Sequence, residues 1–564
     1  MTRVNILLFG FGFCFLVIIA RLFYWQIIMG EKLKAMAENQ QAGLTKIEAS
    51  RGKIYSADLF PLVSNEPSFL LFGFPRETSD AREISARLAP LTAQASGSDA
   101  AQLETEAEKL ESRLSRADLF WVSLARNLSK EKKESIEKLD IDSIGFEQGE
   151  RRAYPEASIA AQLLGFVGSD QNGNARGYFG LEGFYQRILA GREGEISFEK
   201  DARGRPILLG RKIEKKAVSG DDLVLYLERP IQFLVENKLK EGMQKYNASA
   251  GLAVIMDPES GGVLAMASFP SYDPKSFTNF SGHFFSNPVI SETFEPGSIF
   301  KPLVMAAALE ERAVSPDERC SRCDGPRQVG EYTIRTWNEK YHPDSTMAEI
   351  IQHSDNVGMA FVSEKLGTKK LVSYLKKFGI DKPTGIDLEG ETVAPFREEK
   401  KWLPIDLATA SFGQGVALTP IQMVRAIAAI ANGGRLMEPH VVAKIQAGEK
   451  EIEIKPKVLG KVVSEATAKA VTEMMVNAAE RGGTWKRPAG RIAGKTGTAQ
   501  IPISGHYDDK KTIVSFVGFA PADNPRFVML VSLREPTPSW GSMTVAPLWF
   551  EIAEGIFHYF GISP

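Results

Sequence analysis

Cysteine and histidine are scarce in this chain, and their scarcity limits the metal and redox chemistry that it can support. Its 564 residues include three cysteines and six histidines. Three cysteines exclude a four-cysteine zinc site, and no thioredoxin-like βαβ pattern surrounds the Cys-Ser-Arg-Cys pair formed by Cys320 and Cys323. We therefore expect this pair to be a local disulfide or two free thiols. The third cysteine, Cys14, lies in an apolar N-terminal run.

The chain also lacks an excess of charge of either sign. Its 68 lysines and arginines nearly balance 70 aspartates and glutamates, for a net charge of −2. This balance gives no indication of a nucleic-acid partner. Hydrophobic residues make up 43% of the chain, which is enough for folded cores and argues against a chain that is disordered along its whole length. A chain of this length is expected to form two or three domains.

Only one run is apolar enough to cross a membrane, and it lies at the N-terminus. Residues 4–20 carry no charge, and after Arg21 a second apolar stretch continues to Gly30. Together they are long enough to span a hydrocarbon core of about 30 Å. An Ala-Met-Ala triplet at 35–37 resembles a signal-peptidase site, but it follows several charged residues and lies too far beyond the apolar core. We expect an uncleaved anchor over residues 1–30, with everything after it on one side of the membrane.

Two larger units are expected after this anchor, with a boundary at 220/221. Between 76 and 140 the apolar residues recur every three or four positions among many charges, which predicts amphipathic surface helices. Beyond the boundary the chain becomes richer in strand patterns, which include a hairpin at 252–268. Strands from distant segments packed with helices indicate an α+β fold. Further strands are predicted at 513–534, and helices at 301–312, 347–377, 420–432 and 547–560.

A serine and a lysine three residues apart form the first candidate catalytic string. Ser298-Ile299-Phe300-Lys301 follows a Pro-Gly break and precedes a helical pattern, so both side chains should lie on one face of a helix start. A serine hydroxyl is a weak nucleophile that needs a neighbouring base. A lysine can be that base if burial or nearby cations lower its pKa. The N–H groups at a helix N-terminus can also stabilise developing negative charge.

This spacing alone has little weight, because it recurs elsewhere in the chain. We expect the other copies to be solvated surface side chains, since they lack the small and apolar surroundings of Ser298. Examples of these copies are Ser129/Lys132, Ser197/Lys200 and Ser373/Lys376.

Ser354-Asp355-Asn356 forms the second string, between two helical segments. A serine hydroxyl there could pass a proton to a leaving amine, and the asparagine amide could hold a substrate carbonyl or the lysine. The alternative is a helix cap, which all three residue types favour. An isolated tripeptide of this kind is more often a cap.

The third string is Gly494-Lys495-Thr496-Gly497-Thr498. Its first three residues resemble the end of a phosphate-binding loop, but such a loop requires a hydrophobic strand before it and a helix directly after it. Here the following residues are turn-rich and β-prone, so nucleotide binding is disfavoured. An edge strand carrying Lys495 with Thr496 or Thr498 could instead bind a substrate carboxylate, while Gly497 would let the backbone approach closely.

The three strings occur in the order found in penicillin-binding proteins and serine β-lactamases, and the ordered triple is specific although each string is weak by itself. Nearly the whole chain resembles the class B penicillin-binding proteins. Further similar strings are RGKIY near 51, RRAYP near 151, GLEGFYQRILAGREG near 180, MDPESGGVLAMASFPSYDP near 256, FGQGVALTPIQM near 412 and FVGFAPADNP near 516.

The resemblance implies three domains and an α+β fold. They are a transmembrane anchor helix over 1–30, an elongated strand-rich pedestal of the penicillin-binding protein dimerisation type over 31–220, and a transpeptidase domain over 221–564. The last is expected to have a central antiparallel sheet with helices, as in the serine β-lactamases. The implied orientation places the N-terminus inside the cell and the catalytic domain outside the bacterial cytoplasmic membrane.

The resemblance also implies a peptidoglycan D,D-transpeptidase reaction and a role for each string. Ser298 would attack the D-Ala-D-Ala amide of a stem peptide, with Lys301 as its base, and the acyl group would pass to an amine of a second stem peptide. Ser354 and Asn356 would move protons and hold substrate. The implied binding residues for the substrate or β-lactam are Lys495, Thr496, Gly497 and Thr498, and the N–H groups of Ser298 and Thr498 would form the oxyanion hole. No metal or organic cofactor is implied.

Members of this family pair with a polytopic glycan polymerase of the SEDS family and with division proteins, so these are implied partners. The membrane, stem peptides and β-lactams complete the set, and nucleic acid is not expected. Val357-Gly358 after the second string favours the division branch over the elongation branch. Two strings depart from the family pattern, Tyr55-Ser56-Ala57-Asp58 and Leu225-Tyr226-Leu227-Glu228. They lie in the pedestal and at its junction, so they bear on partners more than on chemistry.

Three alternatives to a transpeptidase are open. Two are enzymes that would use the same residues, and the third is a protein without this activity. A class A β-lactamase needs a glutamate for deacylation, and no Glu-x-x-Leu-Asn string lies between Asn356 and Lys495. A D,D-carboxypeptidase would use water as the acceptor with identical residues. A non-enzymatic division scaffold or penicillin sensor would leave the transfer reaction unused.

Overall fold

The computed structural model of the chain describes residues 2–93, 100–171, 173–199, 212–483, 485–488, 490–503 and 506–562. It divides into two compact units. The first comprises residues 1–51 and 190–220, and the second comprises residues 52–189 and 221–564.

The described residues form α-helices and β-strands in the following order along the chain. The helices are α1 (Arg3–Phe23), α2 (Gly30–Gln41), α3 (Ala81–Thr92), α4 (Ala100–Leu114), α5 (Lys130–Glu137), α6 (Ala161–Leu164), α7 (Gly180–Phe184), α8 (Gln186–Leu189), α9 (Arg229–Lys245), α10 (Pro288–Ser291), α11 (Lys301–Glu310), α12 (Met347–His353), α13 (Asn356–Leu366), α14 (Thr368–Lys377), α15 (Pro404–Ala410), α16 (Pro420–Ala431), α17 (Glu465–Arg481) and α18 (Val545–Phe560). The strands are β1 (Ala42–Ile47), β2 (Ile54–Tyr55), β3 (Pro61–Gly73), β4 (Val122–Leu128), β5 (Ile144–Ala153), β6 (Phe166–Ser169), β7 (Ala175–Tyr178), β8 (Gly194–Glu199), β9 (Lys212–Lys215), β10 (Asp222–Leu225), β11 (Ala250–Met256), β12 (Val263–Phe269), β13 (Arg327–Val329), β14 (Tyr332–Ile334), β15 (Arg435–Met437), β16 (Val442–Ala447), β17 (Lys450–Glu453), β18 (Val458–Lys461), β19 (Ala493–Ile503), β20 (His506–Ala520) and β21 (Phe527–Arg534).

The first unit contains the apolar N-terminal helix and a small sheet. Helix α1 continues through a π-helical turn at Tyr24–Ile28, and the segment Arg3–Ile28 is long and apolar enough to cross a membrane. Its large side chains are exposed along its length, as expected of a helix whose surroundings would be lipid. Strands β1, β8 and β9 form an antiparallel sheet in that order.

A seven-stranded sheet runs through the second unit and uses strands from both sides of residue 220. Its order is β17-β16-β10-β2-β3-β4, and β5 pairs with β3. Strand β10 lies parallel to β2, with Leu223 opposite Ile54. Residues 52–189 therefore share a sheet with residues after 221, and the division into a 31–220 pedestal and a 221–564 transpeptidase domain stays a prediction.

The five-stranded antiparallel sheet β12-β11-β21-β20-β19 is buried on both faces. Because successive strand residues point to opposite faces, Ala253 and Ile255 of β11 pack with α9 and α18, whereas Val254 and Met256 join the core that includes α11 and α16. The buried Trp549 of α18 lies on the first of these faces. This sandwich holds β19 at a fixed sheet edge.

The amphipathic helices predicted between 76 and 140 are present as α3, α4 and α5. Their apolar stripes, which include Leu88, Leu110 and Ile136, pack around Leu71 of β3 in a separate small core. Strand β4 lies between α4 and α5, and the sequence does not predict it because polar residues obscure its alternation.

A buried ion pair joins two of the strings singled out in the sequence. Arg152, from RRAYP, contacts Glu182, from GLEGFY, with 2.7 Å between Nη2 and Oε1. Arg152 also donates to Asn65 Oδ1 at 2.6 Å. Both charged side chains are almost completely buried. Removing one partner of such a pair leaves a charge that the protein interior cannot solvate.

We expect Glu182→Gln to lower the free energy of unfolding by about 3–5 kcal/mol, because Arg152 would lose its counter-charge inside the core. Thermal and urea unfolding of the full-length protein in detergent, followed by circular dichroism, measures this change. The matched control is Glu137→Gln, which breaks the exposed pair with Lys133 on α5 and should cost less than about 1 kcal/mol. Equal effects of the two substitutions would contradict the role assigned to the buried pair.

Candidate active site

Ser298 lies in a short 3-10 turn that leads directly into α11. The turn spans Gly297–Phe300, and the N–H of Lys301 donates to the Ser298 carbonyl. Three residues make one turn of a 3-10 helix, so positions 298 and 301 share a face, as predicted. Gly297 has a φ of +57°, and a Cβ there would lie 3.1 Å from the Thr498 carbonyl oxygen. Glycine therefore lets this turn bend tightly against β19.

The side chain of Lys301 is fully buried and joins the first string to the second. Its Nζ donates to the Ser354 carbonyl oxygen at 2.6 Å and to Asn356 Oδ1 at 2.8 Å. The same Nζ lies 3.2 Å from Ser354 Oγ. Three oxygen partners hold the amine in one position and replace the water that burial removes.

Ser354 occupies a strained position between α12 and α13. Its φ of +56° is left-handed, although it is not glycine. A non-glycine residue in a sparsely populated backbone region costs about 1–3 kcal/mol, and such residues cluster at functional sites. Asn356 then begins α13, and its Nδ2 donates to the Arg335 carbonyl at 3.1 Å. This bond fixes the amide so that Oδ1 accepts from Lys301.

The third string lies on β19, which is the edge strand that the sequence predicted. Lys495 is buried, and its Nζ donates to Ser354 Oγ at 3.0 Å and to the Thr496 carbonyl at 3.0 Å. Strand β19 continues to Ile503 instead of turning into a helix. The phosphate-loop alternative is therefore wrong.

Gly497 brings β19 against the turn that carries the serine. A Cβ at this position would lie 2.9 Å from Ile299 Cγ2 and 3.1 Å from the Pro296 carbonyl oxygen. Thr496 and Thr498 alternate with it and are partly exposed. Thr498 Oγ1 accepts from the N–H of Gly541 at 3.3 Å. The structure thus brings all three strings together, with the third beside Ser298.

Burial controls the charge of the two lysines. Burial lowers the pKa of Lys301 well below its ordinary value, Lys495 lowers it further, and Asp355 raises it. Burial also lowers the pKa of Lys495 to about 7. Two amines that share Ser354 Oγ titrate as a pair, because a charge on one disfavours a charge on the other. Near neutral pH the site can therefore hold one neutral amine, fit to be a base, beside one ammonium.

Two of the other Ser-x-x-Lys copies lie apart from this site. Ser129 Oγ accepts from the N–H of Lys132 at 3.3 Å and caps α5. Ser373 and Lys376 are exposed on α14. Lys200 lies outside the described residues, so the interpretation of Ser197/Lys200 as a surface pair stays a prediction.

Two tryptophans contact each other beside the site, and no local pattern in the sequence signals either of them. Trp337 and Trp540 have ring centroids 5.1 Å apart. Trp337 Nε1 donates to the carbonyl of His353, the neighbour of Ser354, at 3.4 Å, and Trp540 precedes Gly541. They lie about 200 positions apart in the chain, so only the fold brings them together.

Cys320 and Cys323 form a disulfide with an S–S distance of 1.97 Å. This is one of the two states expected from the sequence. The N–H of Cys320 donates to the Ser345 carbonyl at 2.8 Å, which ties the loop to the start of α12.

Comparison with known proteins assigns a family to this arrangement. Residues 251–554 match the family model described as penicillin binding protein transpeptidase domain, and residues 46–225 match the penicillin-binding protein dimerisation domain. The matched ranges contain the three candidate strings and the pair Arg152–Glu182.

Similar proteins span nearly the whole chain. Stage V sporulation protein D of Bacillus subtilis is 33% identical, over 99% of this chain and 86% of that protein. Peptidoglycan D,D-transpeptidase FtsI of Escherichia coli is 29% identical, over 97% of this chain and 90% of that protein. The crystal structure of a peptidoglycan synthetase from Bifidobacterium adolescentis superposes with a TM-score of 0.73 at 26% identity, over 93% of this chain and 98% of that one. With the α+β fold and the three strings in contact, these matches show that the chain belongs to the class B penicillin-binding proteins, a membrane-anchored family whose transpeptidase domain binds peptidoglycan and β-lactams.

Proposed function

We propose that this chain is a serine D,D-transpeptidase that cross-links peptidoglycan stem peptides through an acyl-enzyme on Ser298. One observation carries the proposal: Lys301 and Lys495 both contact Ser354 Oγ, beside the turn that presents Ser298. The names of relatives, such as peptidoglycan D,D-transpeptidase for FtsI, agree with this chemistry.

Acylation begins with attack by Ser298 Oγ on the carbonyl carbon between the two terminal D-alanines. The neutral amine of Lys301 accepts the hydroxyl proton, as a base with a lowered pKa can. The N–H groups of Ser298 and Thr498 stabilise the negative charge that develops on the carbonyl oxygen. The amide bond then breaks, and Ser354 Oγ, in contact with both lysines, passes a proton to the departing D-alanine amine.

Substrate binding requires a positive charge, which Lys495 supplies. The terminal carboxylate of the donor peptide binds to its ammonium and to the hydroxyls of Thr496 and Thr498. Asn356 and the exposed side of β19 hold the peptide backbone, because an edge strand leaves N–H and carbonyl groups unpaired. In the second step an amine of another stem peptide attacks the ester on Ser298, and the same groups move its proton in reverse.

A D,D-carboxypeptidase would follow the same first step and use water in the second. The transpeptidase is favoured because the chain matches the transpeptidase and dimerisation models together along most of its length. Analysis of the products with and without an added amine separates the two reactions.

Benzylpenicillin should form a stable covalent adduct on Ser298 of the full-length protein in detergent, because its strained amide mimics the scissile bond and leaves no diffusible group. Intact-mass spectrometry and peptide mapping measure the adduct. Ser298→Ala should abolish it, whereas Ser373→Ala, at an exposed Ser-x-x-Lys copy, should react as the wild type does. An adduct on another residue, or none on folded wild type, would refute the proposed nucleophile.

The acylation rate should fall at both low and high pH, which gives its pH profile an acid limb and an alkaline limb. As pH falls, Lys301 becomes protonated and can no longer accept the serine proton, so the rate falls. As pH rises above about 7, Lys495 loses the charge that binds the carboxylate, and the rate falls again. Stopped-flow acylation by benzylpenicillin between about pH 5 and pH 9 measures both limbs. Lys495→Arg should remove the alkaline limb, because a guanidinium does not titrate there. A flat profile would contradict the assigned roles.

We also propose that the catalytic domain lies outside the cytoplasmic membrane and acts in septal wall synthesis. Support comes from the apolar helix Arg3–Ile28, the disulfide of Cys320 and Cys323, which persists in oxidising compartments, and the similarity to FtsI. The proposed partners are a polytopic glycan polymerase of the SEDS family and division proteins. The exposed apolar helix and the pedestal are the surfaces available to them.

A fluorescent penicillin that does not cross membranes should label intact spheroplasts in a Ser298-dependent manner. In dividing cells that express the chain as their active copy, we expect the signal at division sites, measured by microscopy against a Ser298→Ala strain. Labelling only after lysis would refute the orientation. Labelling spread along the side wall would favour the elongation branch.

A further inference from the structure

Asp355 is a buried carboxylate at the centre of the site, and the proposed reaction gives it no role. It is 2% exposed. Its Oδ1 accepts from the N–H of Val357 at 2.8 Å and of Gly358 at 3.1 Å, at the start of α13. Its Oδ2 is buried and has no hydrogen-bond partner among the residues that the structure describes.

Capping α13 does not require a charge. Serine or threonine caps other helices of this chain, namely α5, α12, α16 and α17. Neutral caps of this kind stabilise a helix about as well as aspartate does. A buried carboxylate oxygen without a donor is costly, so the charge of Asp355 needs another explanation.

Lys301 contacts both chain neighbours of Asp355, and Lys495 contacts one of them. Lys301 Nζ binds the residues on both sides of Asp355, at the Ser354 carbonyl and at Asn356 Oδ1. Lys495 Nζ approaches from β19 through Ser354 Oγ. Asp355, Lys301 and Lys495 are all buried, and a buried negative charge acts on nearby buried amines without touching them, because their surroundings screen it poorly.

We propose that Asp355 is the buried counter-charge of the Lys301–Lys495 pair, which lets the resting site keep one ammonium for the substrate carboxylate while the other amine stays neutral. Asp355 is thus a positioning residue: it influences the protonation of Lys301 and Lys495 and does not touch the substrate. This inference rests on the proposed transpeptidase function. Without the carboxylate, the pair would hold its last proton less tightly, because two buried amines would have no opposite charge.

Other titratable groups face this region and must be separated from the lysines. His353, at the end of α12, stacks on His342 with ring centroids 4.0 Å apart. Burial and His342 lower the pKa of His353, whereas Glu349 and Asp355 raise it. Loss of the Asp355 charge would therefore also change the titration of His353.

The test is the pH profile of acylation by benzylpenicillin for full-length Asp355→Asn in detergent. Asparagine keeps the shape and can still accept both N–H bonds with its Oδ1. We expect both limbs to move to lower pH, so that the ratio of the rate at about pH 5.5 to the rate at about pH 8 rises about tenfold. Asp355→Ser, a second neutral cap, should give the same displacement.

If Asp355 were only a structural cap, its substitution would lower the maximal acylation rate and leave both limbs of the pH profile at the same pH. That outcome, or failure of both variants to fold, would overturn the inference. Asp80→Asn is the matched control, because Asp80 caps the remote helix α3 and its loss should leave the profile unchanged. Repeating the comparison in a His353→Asn background removes the imidazole, and disappearance of the displacement there would assign it to His353 instead.

The two proposals fail in distinguishable ways. If the wild type forms no adduct on Ser298, the proposed function fails. If it forms the adduct and Asp355→Asn keeps the wild-type limbs, only the role of Asp355 is refuted.

Discussion

The confinement of two lysine amines around one serine hydroxyl is the constraint on which the rest of the site depends. Lys301 and Lys495 are both buried, and both contact Ser354 Oγ. Water does not solvate them, so each charge must be offset by oxygen ligands or suppressed. Because a charge on one lysine disfavours a charge on the other, one can be a neutral base while the other stays an ammonium, and no histidine is needed. It also explains the left-handed backbone of Ser354, which presents its carbonyl and hydroxyl to Lys301 together.

The fold satisfies this constraint by bringing three distant segments to one edge of a sheet. The 3-10 turn supplies Ser298, the break between α12 and α13 supplies Ser354, and β19 supplies Lys495. Glycines at the contacts, Gly297 and Gly497, allow backbone to approach backbone. The edge position of β19 has a further consequence, because an extended peptide can add to it as another strand. The same geometry therefore serves both chemistry and recognition.

The sequence indicates the candidate site more directly than it indicates the domain boundaries. Its three strings carry chemistry in short local patterns, so Ser298, Lys301, Ser354 and Lys495 can be chosen from the order of the residues alone. Helices at 301–312, 420–432 and 547–560 can also be predicted, because their periodicity is local, whereas α9 and α17 are not predicted. Features made by tertiary contact are not predictable in this way. Examples are the Trp337–Trp540 pair and the sheet that joins β2 to β10, since neither leaves a spacing in the sequence.

That shared sheet gives the two departures from the family pattern a common explanation. Tyr55 of β2 lies opposite Val224 of β10. The N–H of Ala57 donates to the carbonyl of Leu227 at 3.0 Å. The altered turn after Gly52 and the altered strand end at Leu225–Glu228 are therefore neighbours. A change in one alters the packing surface of the other, so they are better regarded as one altered surface than as two separate substitutions.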